Sequence, residues 1–244
     1  MTLCVVIPCL NEEKYIGTLL HDLSMQTLYP DMVVVADAGS KDRTSEVIQF
    51  HKRKLNIKTV KGGLPAVGRN LGAMVCPSDS LIFFLDADVS VERNFLSRAS
   101  KEMQRKKLEC AGCTNHPFYR QWEKGYNSWA IRVFDDLLYT VINNGIKLLK
   151  TVRVPGAIGT CIIVSKRAFD GVDGFDESVD AFEDGLFIRE VAKKYRYGVL
   201  NSVKVNVSTR RYDRKGRARY ISEMLYNGIL IWGLRVKKRM GYFD

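Results

Sequence analysis

The chain has 244 residues, 46% of them hydrophobic and 27% charged, which excludes a disordered or fibrous protein and allows one sizeable domain or two small ones. No window holds about 18 uninterrupted apolar residues, and the N-terminus MTLCVVIPCLNEE has no basic lead, so neither a spanning helix nor a signal peptide is expected. The net charge of +11 is uneven: from Val203 to Asp244 eleven Lys and Arg stand against three Asp and Glu, which asks for an acidic partner such as substrate phosphates, a lipid surface or nucleic acid.

The first hundred residues alternate between strand-like and helix-like patterns. Apolar runs at Leu3–Pro8, Met32–Ala36, Leu55–Val60 and Leu81–Leu85 read as strands. Between and after them, Asn11–Gln26, Asp42–His51, Pro65–Val75 and Phe95–Lys106 have helical spacing. Strands apolar on both faces and separated by helices predict an α/β fold: a mostly parallel, doubly wound sheet with helices on both faces. Ligands of such sheets sit beyond the carboxyl ends of the strands. Those ends carry Pro8-Cys9-Leu10-Asn11-Glu12, Asp37-Ala38-Gly39-Ser40-Lys41-Asp42 and Asp86-Ala87-Asp88, with Gly68-Arg69-Asn70 after the third strand. One acidic strand end is a common turn, and D-x-D alone leaves a polar turn and a metal site both open. Three acidic ends on one edge make a candidate site, and Arg69 beside them suits a phosphate or base contact.

In the second half, Tyr119–Lys150 reads as a long helical region with Trp122, Tyr126, Trp129, Val133, Leu137 and Val141 on one stripe. The stripe is expected to face the core, with a membrane or acceptor surface as the alternative. A small-residue loop at Pro155–Thr160 leads into a strand at Cys161–Val164. Gly171-Val172-Asp173-Gly174-Phe175-Asp176-Glu177 follows, and Glu183-Asp184 opens a helix to Tyr195. Of the six cysteines, Cys4, Cys9, Cys76 and Cys161 lie in apolar settings and are expected to be free thiols of a reduced, cytoplasmic protein. Cys110 and Cys113, with His116 nearby, lack a second ligand pair at zinc-finger spacing and are expected on a structural strand.

As a set, VVIPCLNEEKYI (5–16), VVVADAGSKDRT (33–44), GRNLGA (68–73), FLDADV (84–89), GTCIIVSKRAFDGVDGFDE (159–177), FEDGLF (182–187) and STRRYDRKG (208–216) resemble the family 2 glycosyltransferases of GT-A fold. The resemblance covers roughly residues 3–216 and implies a single GT-A-type domain over 1–216. It also implies an inverting transfer of sugar from a nucleoside diphosphate donor. By motif, Pro8 and Glu12 would border the nucleoside, Asp37 would bond the base, and Arg69 would lie near the base or diphosphate. Asp86 would face the ribose, and Asp88 would hold Mg²⁺ or Mn²⁺. Asp184 would be the general base, and Arg210 and Arg211 would meet the diphosphate. Ala38 stands where many relatives carry a second acid, which makes uracil recognition less secure than diphosphate recognition. The arginine pair in place of the aromatic-containing motif of processive synthases implies a single-addition enzyme.

Residues 217–244 read as a basic amphipathic helix with Ile221, Met224, Leu225, Ile229, Trp232 and Val236 on one stripe and the cations of 235–239 at its end. It would pack on the domain or lie peripherally on an anionic membrane. The expected acceptor is accordingly a membrane-associated lipid, such as a polyprenyl-phosphate, or a glycan. The alternatives are a glycosyltransferase acting on modified DNA, a nucleotidyltransferase, and a non-catalytic basic module binding nucleic acid. A nucleotidyltransferase usually shows a Gly-rich phosphate loop with a lysine, which is absent between Pro8 and Tyr15. The basic module gives no reason for acidic motifs along one sheet edge.

Overall fold

The computed structural model describes residues 1–123, 126–151, 160–179 and 182–228. Most of the loop expected at 155–160, and the tail with Ile229, Trp232, Val236 and the cations of 235–239, lie outside them.

In chain order the elements are β1 (Thr2–Cys9), α1 (Ile16–Ser24), β2 (Met32–Asp37), α2 (Thr44–His51), β3 (Ile57–Lys61), α3 (Pro65–Met74), β4 (Ser80–Leu85), β5 (Val89–Val91) and α4 (Phe95–Lys106). They continue with β6 (Cys110–Phe118), α5 (Trp129–Thr151), β7 (Cys161–Ser165), α6 (Lys166–Asp170), α7 (Glu183–Lys194), β8 (Tyr197–Ser208), α8 (Arg210–Lys215) and α9 (Arg217–Gly228). The strands form one sheet in the order β3-β2-β1-β4-β7-β6-β8-β5. It is parallel from β3 to β4, as the alternating pattern predicts. Beyond β4 it becomes mixed, because β7 runs antiparallel to both of its neighbours and β5 antiparallel to β8. Since β7 reverses against β4 and β6 reverses again, β6 and β8 regain the direction of β4. The carboxyl ends of β1, β2, β4, β6 and β8 therefore share one edge.

Both faces of the sheet are covered, which is why its inner strands are apolar throughout. Along β1 the side chains alternate: Val5 and Ile7 pack with Leu19, Leu23, Phe95 and Leu96 of α1 and α4 on one face. Cys4 and Val6 pack with Ala73 of α3 and with Phe187 and Ile188 of α7 on the other. Helix α3 approaches β1 so closely that a Cβ at Gly72 would lie 2.3 Å from Val6 Cγ1, and one at Gly68 would lie 3.3 Å from Pro8 Cβ.

Two expectations need correction. Cys4 and Cys76 are joined in a disulfide, their Cα atoms 6.1 Å apart, so they are not free thiols. The two residues are 72 positions apart in sequence, and only the docking of α3 on β1 brings them within bridging distance. Cys9, Cys110, Cys113 and Cys161 are free and buried, with Cys110 and Cys113 on β6 as expected. The aromatic and aliphatic stripe of the long helix does not face the core either. Trp129, Val133, Leu137 and Val141 are exposed, as are Trp122 and Tyr126 before them. The helix spends its inward face on Asp135, Tyr139 and Asn143, which are buried. No helix among the described residues is long and apolar enough to cross a membrane.

Candidate active site

The shared strand edge gathers nearly every residue singled out by the motifs. After β1 the chain turns through Asn11 in the left-handed region (φ 54°), and its side chain ties this loop to the one after β2. Lys41 N–H donates to Asn11 Oδ1 (2.8 Å), while Asn11 N–H donates to Ser40 Oγ (2.9 Å). Asp37, half-buried at the end of β2, accepts from Ser40 N–H (2.9 Å) and from Ser40 Oγ (2.7 Å) on a single oxygen, Oδ1. The local Asp-x-x-Ser turn thus holds the carboxylate upright at the edge. Pro8 lies one strand over, paired in register with Ala36.

Asp88 follows β4 and immediately precedes β5, whose antiparallel pairing with the end of β8 brings residues 208–210 alongside. Arg210 Nε meets Asp88 Oδ2 at 2.9 Å. Its two Nη atoms grip both oxygens of the buried Glu12 carboxylate at 2.6 and 2.5 Å. Burial pushes the Glu12 carboxyl pKa up, and Arg210 opposes that rise. The guanidinium also lies over the Tyr15 ring, 4.3 Å from its centroid. The exposed Arg211 lowers the pKa of both Glu12 and Asp86 by its charge.

A second cluster lies beside the first. Arg69, buried on α3, bridges Asp86 Oδ1 (3.0 Å) and Glu183 Oε1 (2.5 Å), and so links the end of β4 to the start of α7. Phe175 covers the guanidinium at 5.4 Å. Desolvation raises the Asp86 carboxyl pKa in spite of Arg69. Asp184 occupies the first turn of α7, behind Phe182 held in the left-handed region at φ 61°. For a bulky residue that conformation is strained, and such strain gathers at functional sites. Burial, then the neighbouring Glu183 charge, raises the Asp184 pKa to about 7.

Sequence reasoning missed Arg120. It lies just past the end of β6 on the same edge, its guanidinium 4.6 Å from the centroid of Tyr15 and 5.5 Å from that of Phe118. Both Nη atoms are buried without a hydrogen-bond partner, an arrangement that disfavours the charged form. The only signal in the sequence was one arginine among aromatics in FYRQW.

The glycosyl transferase family 2 profile matches residues 4–172, well over half of the chain. The chain belongs to glycosyl transferase family 2. Among curated relatives, it is 32% identical over 107 residues to the poly(ribitol-phosphate) β-N-acetylglucosaminyltransferase TarS of Staphylococcus aureus, covering 41% of this chain and 18% of TarS. It is 37% identical over 95 residues to the 4,4'-diaponeurosporenoate glycosyltransferase of Staphylococcus haemolyticus, covering 37% of this chain and 25% of that protein. The chain thus spans only a fraction of the length of these relatives. Its fold resembles S. aureus TarS 1–349 in complex with UDP-GlcNAc (TM-score 0.64, 21% identity, 86% of this chain and 59% of that one). It also resembles the mannosyltransferase PcManGT of Pyrobaculum calidifontis in complex with GDP-Man and Mn²⁺ (TM-score 0.65, 18% identity, 99% and 66%). Within the GT-A architecture of this family 2 chain, the acid-lined strand edge is the candidate active site.

Proposed function

We propose that this family 2 chain is an inverting glycosyltransferase that moves a sugar from a nucleoside diphosphate sugar to an acceptor hydroxyl or phosphate on a membrane-associated lipid, such as a polyprenyl-phosphate, or on a glycan. The observation that carries the reading is Asp184. It stands in the first turn of α7 beside Glu183, which Arg69 ties to the first acid of D-x-D, and burial raises its pKa to about 7. A general base serves best with its pKa near the working pH.

The carboxylates of Asp86 and Asp88 are hard oxygen donors, which fit Mg²⁺ or Mn²⁺ held by one or two protein carboxylates and completed by substrate phosphates. Such an ion, when bound at Asp88, would offset the charge of the leaving diphosphate. Asp37, with Oδ1 taken up by Ser40, turns its other oxygen to the base of the nucleotide, while Pro8 and Glu12 border the nucleoside. Asp86 addresses the ribose, oriented by Arg69. Arg210, Arg211 and Arg120, whose Nη atoms have no hydrogen-bond partner, supply positive charge for the diphosphate, whose negative charge grows as the bond to the sugar breaks. Asp184 takes the proton of the acceptor hydroxyl as its oxygen attacks the anomeric carbon from the face opposite the leaving group. The electron pair of the broken C–O bond departs with the nucleoside diphosphate. A single base suffices for this inverting displacement. The acceptor is approached at an anionic membrane surface, a placement supported by the basic charge after Val203. No observation favours a nucleotidyltransferase, a DNA-directed transferase or a nucleic-acid-binding module.

Asp184→Asn tests the assignment. The variant is expected to retain UDP or GDP affinity by calorimetry while hydrolysis of the matching sugar nucleotide falls about 10²–10⁴-fold. Near-normal turnover would move the base elsewhere, with Glu183 the next candidate.

A further inference from the structure

Helix α5 is amphipathic in the reverse sense. Its inward face is polar and fixed by specific bonds. Arg217 of α9 grips both Asp135 oxygens at 2.8 and 2.7 Å, and Tyr119 Oη donates to Asp135 Oδ2 at 3.1 Å. Two turns further on, Asn143 exchanges hydrogen bonds with the Asn115 backbone on β6, accepting from its N–H at 3.1 Å and donating to its carbonyl at 2.7 Å. Positions 129, 133, 137 and 141 are two residues out of phase with 135, 139 and 143, which places them about 200° round the helix. Trp129 (79% exposed), Val133 (47%), Leu137 (63%) and Val141 (62%) therefore stand in solvent, with Phe134 beside them. Rotating the helix to bury this stripe would strand Asp135 and Asn143, so the apolar face is committed outward. The stripe begins close to the candidate active site. Trp122, exposed ahead of α5, packs edge-on against Tyr15 at 6.4 Å, and Tyr15 lies beneath Arg120 and Arg210.

We infer that the outer face of α5 seats the protein on the surface of an anionic lipid bilayer, with the active-site edge turned toward the headgroups. Two observations select a bilayer over a second copy of the chain. The first is charge. Helices α8 and α9 join the buried side of α5 through Arg217 and through the Tyr212–Tyr139 ring contact at 6.2 Å. Arg211, Arg214, Lys215 and Arg219 of these helices are exposed, but the helices themselves pack on the inward side of α5, so the selection rests on the charge of the whole chain. An anionic bilayer attracts a chain of +11, whereas two such chains would repel each other. The second is size. One helical stripe falls well short of the roughly 20–30 residues a side found in stable protein interfaces, yet a helix with an apolar face of this kind suffices to lie in a bilayer interface. The inference rests on the membrane-associated acceptor proposed above, and places its docking surface on α5 rather than on the C-terminal tail alone.

The test uses the full chain and a Val133→Ser/Leu137→Ser/Val141→Ser variant, whose changes are all at exposed sites. Each is sedimented at low salt with vesicles of phosphatidylcholine alone and with vesicles also containing phosphatidylglycerol, and UDP and GDP affinities are measured in parallel. The wild type is expected to sediment with the anionic vesicles, with a blue shift of its tryptophan emission. The variant is expected to bind them at least about tenfold more weakly while keeping its nucleotide affinity. Equal vesicle binding by the two proteins, or none by the wild type, would overturn the inference. So would a wild-type dimer in light scattering that the variant converts to monomer, because that result gives the face to a second copy. A wild type that binds vesicles but neither nucleotide would instead count against the transferase reading and leave the docking surface standing.

Discussion

Under the proposed role of Asp184 as general base, one environment serves catalysis at the expense of stability. The Asp184 carboxyl is neutral below about pH 7 and ionised above it, so the proposed base is available only on the alkaline side. The acid limb of kcat/KM for the hydrolysis or transfer reaction is therefore expected near pH 7, and a limb near pH 4, where an ordinary aspartate titrates, would show that another group is the base. Stability runs the other way. A carboxyl whose pKa is higher folded than unfolded stabilises the fold below its unfolded value, near 4, and that contribution is lost as pH rises through 7. Asp184→Asn is thus expected to match the wild type in Tm near pH 4 and to exceed it at pH 8. Scanning calorimetry at the two values checks this, and an equal Tm at both would deny the raised pKa. Arg120 illustrates the same economy: a buried cation with idle donors costs stability unless a ligand uses them.

At the scale of elements, the contact between α3 and β1 sets the distance between Pro8 and Arg69, and hence the spacing of the site. With Val6 Cγ1 only 2.3 Å from where a Gly72 Cβ would stand, Gly72→Ala must push the helix off the strand. The expected cost is about 1–3 kcal/mol, read as a lower urea midpoint, with weakened nucleotide affinity because Arg69 moves with the helix. An unchanged midpoint would mean that the helix has slack. This contact also marks what was legible in the sequence. The runs of β1, β2 and β4 are apolar throughout because both faces of the sheet are covered, and the acids beyond them necessarily share an edge. Strand β8 left a weaker trace, the alternation of buried Val203, Val205 and Val207 with polar neighbours. The three residues of β5 left none that periodicity could detect. The helical spacing predicts α5 from Tyr119, ten residues before it begins, and with the wrong face inward. Periodicity finds a stripe but not the side on which the protein lies, and here partners distant in sequence, Arg217 and Asn115, hold the polar side inward.

Across the whole molecule, the Cys4–Cys76 bridge encloses β1 to α3, the unit that carries Glu12, Asp37 and Arg69. Closing a loop over a sequence separation of 72 removes unfolded-state entropy worth about 4 kcal/mol. At about 2–4 °C per kcal/mol for a chain of this size, reduction or Cys76→Ser is expected to lower Tm by roughly 10 °C. A Tm insensitive to reductant would mean that the bridge does not form in solution. The charge of the molecule is also divided by distance. The chain carries +11 as a whole, yet its candidate site sets Glu12, Asp37, Asp86, Asp88, Glu183 and Asp184 against four arginines. An approaching anion is drawn in from afar and meets a partly hostile rim on arrival. Salt screens the first effect beyond about 8 Å and hardly touches the second, which acts at contact range. Under the proposed function, capture and retention of the donor thus answer to different parts of the protein: the basic surface would govern how often a donor arrives, and the acid-lined edge which arrivals stay.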